Sequence, residues 1–226
     1  MNPDIDIEEH SRVFAENYGK LNYDKSLVGT MMRHSHTLAE RPYGPDRHFS
    51  RVLEVGAGTG EHLKFVRHGF DDYVMTDFNP TMLGQIDSGG HRGRVTIEKQ
   101  DATRLDVPDN SVDRLIATHV LEHLPHPHNV LREWHRVLKP GGIMTLVLPC
   151  DPGLMWRTGR HLGPRRRAQR LGMNYDYVMA REHINSVWNL VSLVRYYFDD
   201  VSEAWSPLGV PLPDFNLFYV CQIRCR

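Results

Sequence analysis

A short apolar run leads directly into three closely spaced glycines in the segment Val52-Leu53-Glu54-Val55-Gly56-Ala57-Gly58-Thr59-Gly60. Such a run is typical of a buried strand, and glycines let a backbone turn approach a ligand that side chains would keep away. The segment therefore predicts a strand that ends in a ligand-binding loop.

Further apolar runs follow this segment at intervals that leave room for helices. They predict strands at residues 74–77, 95–98, 112–117, 143–148, 201–205 and 217–223, with helices near 61–67, 80–87 and 129–138 and a turn at 139–142. Strands that alternate with helices form right-handed crossovers, which place helices on both faces of a mostly parallel sheet. The expected fold class is therefore doubly wound α/β.

Two segments do not follow this alternation. Residues 1–48 resemble a helical appendage, which a proline- and glycine-containing break at 41–45 separates from the main domain at 49–226. Residues 151–187 include an Arg-, Gly- and Pro-rich stretch, and we expect an insertion that caps the substrate. The helix that follows is expected to bury one face, made by Ile184, Val187, Trp188, Val191, Val194 and Phe198.

Composition limits the class of protein. The chain has 226 residues, of which 40% are hydrophobic and 24% are charged, with a formal net charge of -1. This balance favours a globular domain and gives no sign of a nucleic-acid partner. No apolar run approaches the roughly 18 residues that a transmembrane span needs, and the N-terminus does not resemble a secretory signal. The three cysteines form neither a disulfide framework nor a zinc pattern, so we expect a reducing, cytoplasmic setting.

The glycine spacing discriminates between cofactors. A dinucleotide site needs G-x-G-x-x-G, but Glu61 occupies its last position, where a carboxylate would face the pyrophosphate. The observed pattern is G-x-G-x-G, with Glu54 two residues before the first glycine. An acid there suits a cationic ligand such as S-adenosylmethionine (SAM), which carries a sulfonium and an ammonium but no phosphate. The spacing therefore opposes an NAD-dependent oxidoreductase.

Acidic residues also follow the second and third predicted strands. Asp77 lies where a Rossmann-type protein places its ribose-binding acid, and Phe78 beside it could cover an adenine face. Asp101 follows the third strand, where its carboxylate could accept a hydrogen bond from the adenine amino group. The carboxyl ends of the strands in an open α/β sheet form its ligand site, so these acids should converge.

Residues 50–150 resemble the class I SAM-dependent methyltransferases, and most closely their type 11 family. The matching segments are 52–60, 76–83, 100–102, 112–125 and 131–142. The resemblance implies a Rossmann-like, seven-stranded, mostly parallel sheet whose last strand is antiparallel, with 49–226 as the methyltransferase domain and 1–48 as a lid. SAM would be the cofactor and S-adenosylhomocysteine the product.

The resemblance also implies the residues that contact the cofactor. They are Tyr18 in the lid, Glu54, Gly56, Ala57, Gly58 and Gly60 in the loop, Asp77 and Phe78, Asp101 and Ala102, and His119. Similar enzymes close an N-terminal aromatic residue over SAM, and this is the role expected of Tyr18.

The acceptor is expected to be a small molecule that is methylated on oxygen or nitrogen. His123 is the first candidate for a general base, because it follows the fourth strand near the expected methyl group. His183 is the second candidate, on the expectation that 181–185 open the helix facing the acceptor. The competing interpretation is that the Glu122–His123 pair has no chemical role.

Other interpretations remain open. The arginines at 157–170 could bind an anionic acceptor or a lipid surface, although a solvated face is the commoner explanation. We expect no metal at His123, His126 and His128, since alternating prolines separate their side chains. Methylation of protein or RNA, and a SAM-binding regulator without turnover, are the alternative functions, and monomer and homodimer are both compatible with the sequence.

Overall fold

A seven-stranded sheet forms the centre of the structure, a computed structural model that describes residues 7–91 and 94–226. The strands are β1 (His48–Val55), β2 (Gly69–Asp77), β3 (Arg94–Lys99), β4 (Val112–Thr118), β5 (Leu138–Pro149), β6 (Val201–Pro207) and β7 (Asn216–Arg224). Their order is β3-β2-β1-β4-β5-β7-β6, and only β7 runs antiparallel to its neighbours. The expected Rossmann-like α/β class and its antiparallel last strand are confirmed.

Eight α-helices surround the sheet within the described residues. They are α1 (Ile7–Asn22), α2 (Leu27–Glu40), α3 (Pro80–Leu83), α4 (Pro127–Val137), α5 (Leu154–Leu162), α6 (Pro164–Arg170), α7 (Tyr175–Glu182) and α8 (Val187–Tyr197). Single 3-10 turns occur at His62–Phe65, Leu121–His123 and Pro213–Phe215. The predicted lid thus contains two helices and the predicted cap three; residues 1–6 of the lid lie outside the described part. None of the helices described is long and apolar enough to cross a membrane.

Two predicted helices are much shorter than expected. Residues 61–67 form only the 3-10 turn, because Val66 already has extended backbone angles and leads into β2. The region 80–87 forms α3, which Asn79 caps by accepting hydrogen bonds from the amides of Thr81 and Met82, and which ends at Gly84. The predicted turn at 139–142 is a bulge within β5, since Val112 pairs with Leu138 and the next β4 pair joins Arg114 to Ile143.

The predicted apolar face of α8 is partly wrong. Ser186 caps the helix by accepting from the amide of Asn189, so α8 begins at Val187 and the preceding Ile184 is 51% exposed. Trp188 is also 43% exposed, whereas Leu190 is fully buried. The buried face is therefore made by Val187, Leu190, Val191 and Val194.

Helix α4 positions the loop that follows β3. Its buried side chains include Trp134, which is fully buried and whose Nε1 donates to the carbonyl of Ala102 at 2.9 Å. Burying so large a side chain stabilises the fold strongly, because truncation of a core Trp typically costs about 3–5 kcal/mol. The Asp101-Ala102 loop is thus attached to the core.

Helix α2 packs on the opposite face of the sheet. Ala39 contacts the buried Val147 and Val220, and the carboxylate of Glu40 accepts from both terminal nitrogens of Arg114 at 3.0 and 2.6 Å. Both charged side chains are buried, so the ion pair offsets the cost of removing each charge from water. This contact joins the N-terminal helices to the middle of the sheet.

Candidate active site

The glycine loop connects the end of β1 to the cavity above the sheet. Gly56 and Gly58 have φ angles of 68° and 55°, which side chains rarely adopt. A Cβ on Gly56 would lie 2.4 Å from Cγ2 of Val120, so the loop packs against the segment after β4. A Cβ on Gly58 would meet nothing nearer than the Tyr18 ring at 3.8 Å, so this glycine presents its backbone to the cavity.

Asp77 joins two loops at the end of β2. Its Oδ2 accepts from the amide of Gly58 at 2.9 Å, and its Oδ1 accepts from the amide of Asn79 at 2.8 Å. An ionised carboxylate has about four acceptor sites, so the side chain can still accept from two hydroxyls of a ligand. Asp77 lines the cavity, as a ribose-binding acid must.

The next strand supplies a second acid. Oδ1 of Asp101 accepts from the amide and hydroxyl of Thr103 at 2.8 and 2.7 Å, which fixes the carboxylate at the cavity wall beside Ala102. Phe78 also lines the cavity and is 69% exposed, with the Lys99 ammonium 5.2 Å from its ring centre. An exposed ring at this edge is available to cover a planar ligand.

Three predicted contact residues do not line the cavity. Glu54 is directed into the core, where it lies on the same strand face as Val52 and accepts a hydrogen bond from the Tyr73 hydroxyl at 2.8 Å. Burial raises the pKa of the Glu54 carboxyl. Ala57 and Gly60 are also directed away from the cavity, and Gly60 packs against Ile86.

The cavity has a volume of about 1130 Å³. Ligand pockets for drug-sized molecules usually occupy about 300–1,000 Å³, so this cavity has room for two ligands side by side. The glycine loop and the ends of β2 and β4 form one wall. A second wall is largely apolar and comes from α2, α5, α7 and β7, including Met31, Met32, Met155, Trp156, Met179 and Phe218.

Both predicted base candidates line the same cavity and touch each other. The rings of His123 and His183 meet edge to face with centroids 4.8 Å apart. Nδ1 of His123 donates to the carbonyl of Glu182 at 2.9 Å, which leaves Nε2 with a free lone pair. Burial lowers the pKa of His123 to about 4, so the ring is neutral at neutral pH.

The segment at 181–185 does not open a helix, as the sequence had suggested. Arg181 and Glu182 end α7, and His183 begins the linker to α8. Nδ1 of His183 lies 2.9 Å from Oδ2 of Asp151, which also pairs with Arg160 at 3.0 Å. Although burial raises the pKa of Asp151, the hydrogen bond from His183 lowers it below its usual value.

His119 and Tyr18 complete the predicted set. His119 has a φ of 59° and its Nε2 lies 3.1 Å from the hydroxyl of Ser35, which ties the end of β4 to α2. Burial lowers the pKa of His119 to about 3 and raises that of Tyr18 to about 12. The Tyr18 ring packs edge to face on Phe14 at 5.5 Å, over the Gly58 backbone.

Half of the arginines at 157–170 are neutralised by carboxylates. Arg160 pairs with Asp151, Arg165 with Asp176 and Arg167 with Asp24. The remaining three, at 157, 166 and 170, are exposed. The two arginines of this group that line the cavity, Arg160 and Arg167, are therefore both paired.

Sequence reasoning missed Glu122 as a site residue. Its side chain is 2% exposed, and its Oε1 lies 3.7 Å from Nε2 of His123. Burial raises the pKa of its carboxyl to about 8. The adjacent Glu122–His123 pair was visible in the sequence, but only the fold shows that both side chains face one cavity.

Comparisons with known proteins agree with this geometry. Residues 53–146 match the family profile described as "Methyltransferase domain". The chain is 34% identical over 107 residues to 2-methyl-6-phytyl-1,4-hydroquinone methyltransferase 1 of Oryza sativa subsp. japonica. The aligned region covers 46% of this chain and 32% of the relative. It is 33% identical over 137 residues to phosphatidylethanolamine N-methyltransferase of Cereibacter sphaeroides, covering 58% of this chain and 66% of the relative. The chain thus spans between about a third and two thirds of these relatives.

A solved structure shows the same fold. It is phosphoethanolamine N-methyltransferase 2 of Haemonchus contortus in complex with S-adenosyl-L-methionine, with a TM-score of 0.64 over 96% of this chain and 57% of that one. The two sequences are 14% identical, so the likeness concerns the fold.

Proposed function

The chain belongs to the class I SAM-dependent methyltransferases, whose cofactor is SAM, and we propose that it methylates an oxygen or nitrogen of a bulky apolar small molecule. One observation carries the proposal. A single cavity is lined by the glycine loop with Asp77, by the apolar wall, and by His123, whose Nε2 has a free lone pair.

The cofactor occupies the wall formed by the strand ends. Asp77 accepts from the ribose hydroxyls, while Phe78, Asp101 and Ala102 surround the adenine. The backbone of Gly56 and Gly58 would hold the methionine part, and at Gly58 the absence of a side chain leaves the space that it needs. Tyr18 closes over this end as the lid contact.

The acceptor occupies the apolar wall. Its methionines, Trp156 and Phe218 favour a ligand with a large hydrocarbon part, because burying apolar surface contributes about 25 cal/mol per Å². Because Arg160 and Arg167 are paired with Asp151 and Asp24, neither of these two side chains offers an unpaired cation to an anionic acceptor. The names of the two relatives specify a phytyl hydroquinone and a phospholipid, both of which carry long apolar chains.

Methyl transfer is an in-line displacement at carbon. The bond from sulfur to the methyl breaks, its electron pair stays on sulfur, and the acceptor atom forms the new bond. A phenol or an ammonium must also lose a proton, and Nε2 of His123 accepts it, with His183 as the second candidate. Most of the acceleration comes from holding acceptor and methyl in line.

The surrounding segments have supporting roles in this proposal. Residues 1–48 act as a lid and 151–187 as a cap over the acceptor. The three cysteines are free and buried, which fits the reducing, cytoplasmic setting that we propose.

Transfer of labelled methyl from SAM to paired acceptors tests the proposal. Each pair has the same phenol, hydroquinone or amine head group, once with a long isoprenoid or alkyl tail and once without. We expect labelled product with the tailed members. Label that enters only protein or RNA would favour a macromolecular acceptor, and SAM binding without any transfer would favour a regulator.

A further inference from the structure

Three potential metal ligands converge at the acceptor side of the cavity. Glu122, His123 and His183 each offer one donor atom, and these atoms all lie within 4.8 Å of one another. The proline-rich turn considered from the sequence is not the place, since His126 and His128 lie outside the cavity lining. The partner of His123 is His183, which the fold brings in from the end of the cap.

Both histidines are oriented as metal ligands usually are. Nδ1 of His123 donates to the Glu182 carbonyl, and Nδ1 of His183 donates to the Asp151 carboxylate, each at 2.9 Å. These hydrogen bonds fix the tautomer and leave Nε2 of each ring with its lone pair. A ligating histidine almost always donates its other ring N–H to a carboxylate or carbonyl in this manner.

One carboxylate oxygen of the third ligand is buried without a hydrogen-bond partner in the part of the chain that the structure describes. The Glu122 side chain is 2% exposed, and its Oε2 has no hydrogen-bond partner among the described residues. Leaving a buried polar atom unpaired is unfavourable, and a cation bound at the carboxylate would remove that cost.

Backbone hydrogen bonds connect the two segments that carry the ligands. The carbonyl of Glu122 accepts from the amides of Ile184 and Asn185, both at 3.1 Å. The Asn185 amide side chain donates to the carbonyls of Leu121 and Leu124 at 3.1 and 2.8 Å. The ligand set is therefore held together before any ion binds, which is what a preorganised site requires.

We propose that Glu122, His123 and His183 bind a divalent transition-metal ion of the zinc type in this cavity. Two imidazoles and one carboxylate are a known ligand set for catalytic zinc and non-haem iron, and such sites keep a coordination position open. Ligands about 2.0–2.1 Å from zinc lie roughly 3.4 Å apart in a tetrahedron, so the donors, now within 4.8 Å of one another, need to approach by at most about 1.4 Å on binding.

The ion would face the apolar wall, where the acceptor lies. Its charge would make an acceptor hydroxyl more acidic. With the ion bound, His123 would act as a metal ligand. Only in the metal-free protein would Nε2 of His123 accept the proton directly. This consequence rests on the proposed function, whereas metal binding itself does not.

Metal titration of the chelator-treated full chain tests the site. Zn²⁺ is titrated calorimetrically and Co²⁺ is followed by its visible absorption, with SAM binding measured on the same samples. We expect one ion per chain, and at least about 100-fold weaker binding in His183→Ala and Glu122→Gln. Asp151→Asn, which removes the carboxylate that accepts from both His183 and Arg160, should weaken binding about 10- to 100-fold. His128→Ala is the matched control and should bind like the parent.

Absence of stoichiometric binding, or unchanged binding in both ligand variants, would overturn the metal site. If SAM still binds to those samples, only the metal proposal fails. If the unmodified chain does not bind SAM, the proposed function itself fails. Circular dichroism shows whether each variant is folded.

Discussion

The rings of His123 and His183 pack edge to face with their centroids 4.8 Å apart, although the two residues belong to different loops. One ring follows β4 of the cofactor-binding half and the other follows the three helices of the cap. Their contact therefore joins the end of β4 to the segment that we propose as the cap of the acceptor site.

We expect His123→Ala to abolish most methyl transfer to the true acceptor while SAM still binds. A general base typically contributes about 10²–10⁴-fold, so the rate should fall by at least 100-fold. SAM affinity should change less than about twofold, because the side chain lies at the acceptor side. The rate is measured under single-turnover conditions. His128→Ala is the control, and an unchanged rate in His123→Ala would remove this residue from the chemistry.

Replacement of Gly58 by Ala should weaken SAM binding selectively. Its φ of 55° makes a side chain cost about 1–2 kcal/mol, and the new methyl would lie on the cavity side. Gly209→Ala is the matched control, because its φ is 71° and its added Cβ meets nothing within 4 Å. Both variants should lose similar stability in urea unfolding. Equal SAM affinities in the two would argue against cofactor contact at Gly58.

Tyr18→Ala should weaken SAM binding by removing the ring over the Gly58 backbone. The loss of a packed aromatic contact predicts a decrease of about 10-fold or more, since such contacts are worth about 0.5–1.5 kcal/mol beyond their buried area. Tyr18→Phe keeps the ring and should retain most of the affinity. Tyr196→Ala serves as control because Tyr196 is 81% exposed. Unchanged affinity in both Tyr18 variants contradicts the lid role.

Glu40→Gln should destabilise the fold by about 3–5 kcal/mol, because it leaves the buried Arg114 without its carboxylate. The matched control is Glu203→Gln, which breaks the more exposed pair with Arg195 and should cost less than about 1 kcal/mol. Urea unfolding at pH 7 measures both. A similar loss of stability in the two variants would show that the buried Glu40–Arg114 pair contributes no more than the more exposed pair.

Stability should also fall as the medium becomes acidic. Although burial raises the pKa of Glu40, Arg114 and His62 lower it to about 2 from the ordinary 4.5, so this contribution is present above pH 4.5 and is lost as the pH falls towards 2. Burial lowers the pKa of His68 to about 4 from 6.5. As the pH falls from 6.5 to about 4, the unfolded chain therefore binds a proton that the folded protein does not, and the stability decreases. Urea unfolding from pH 7 to 3 tests this, and the slope below pH 4.5 should be smaller in Glu40→Gln.

The sheet could be predicted from the sequence because each strand is a short apolar run between polar segments. The convergence of Asp77 and Asp101 on one cavity could also be predicted, since the carboxyl ends of neighbouring strands meet at one edge of the sheet. The interior position of Glu54 could not be predicted, because it depends on the partner that Tyr73 supplies from the next strand.

The acceptor side was less predictable because long-range contacts define it. Periodicity places Ile184 and Trp188 on a buried helix face, but the cap at Ser186 leaves Ile184 outside α8, and Trp188 within α8 is 43% exposed beside Trp205. The convergence of Glu122 with His183 depends on hydrogen bonds between segments about 60 residues apart, which no local pattern encodes.

Calorimetric titration with SAM, S-adenosylhomocysteine and NAD, on the parent chain and on Asp77→Asn, tests the central claim most directly. Asp71→Asn, an exposed acid on the same strand, is the control. We predict micromolar-range binding of the first two ligands, none of NAD, and a loss of about 10- to 100-fold in Asp77→Asn only. No SAM binding by the parent chain, or NAD binding in its place, would contradict the assignment of this cavity.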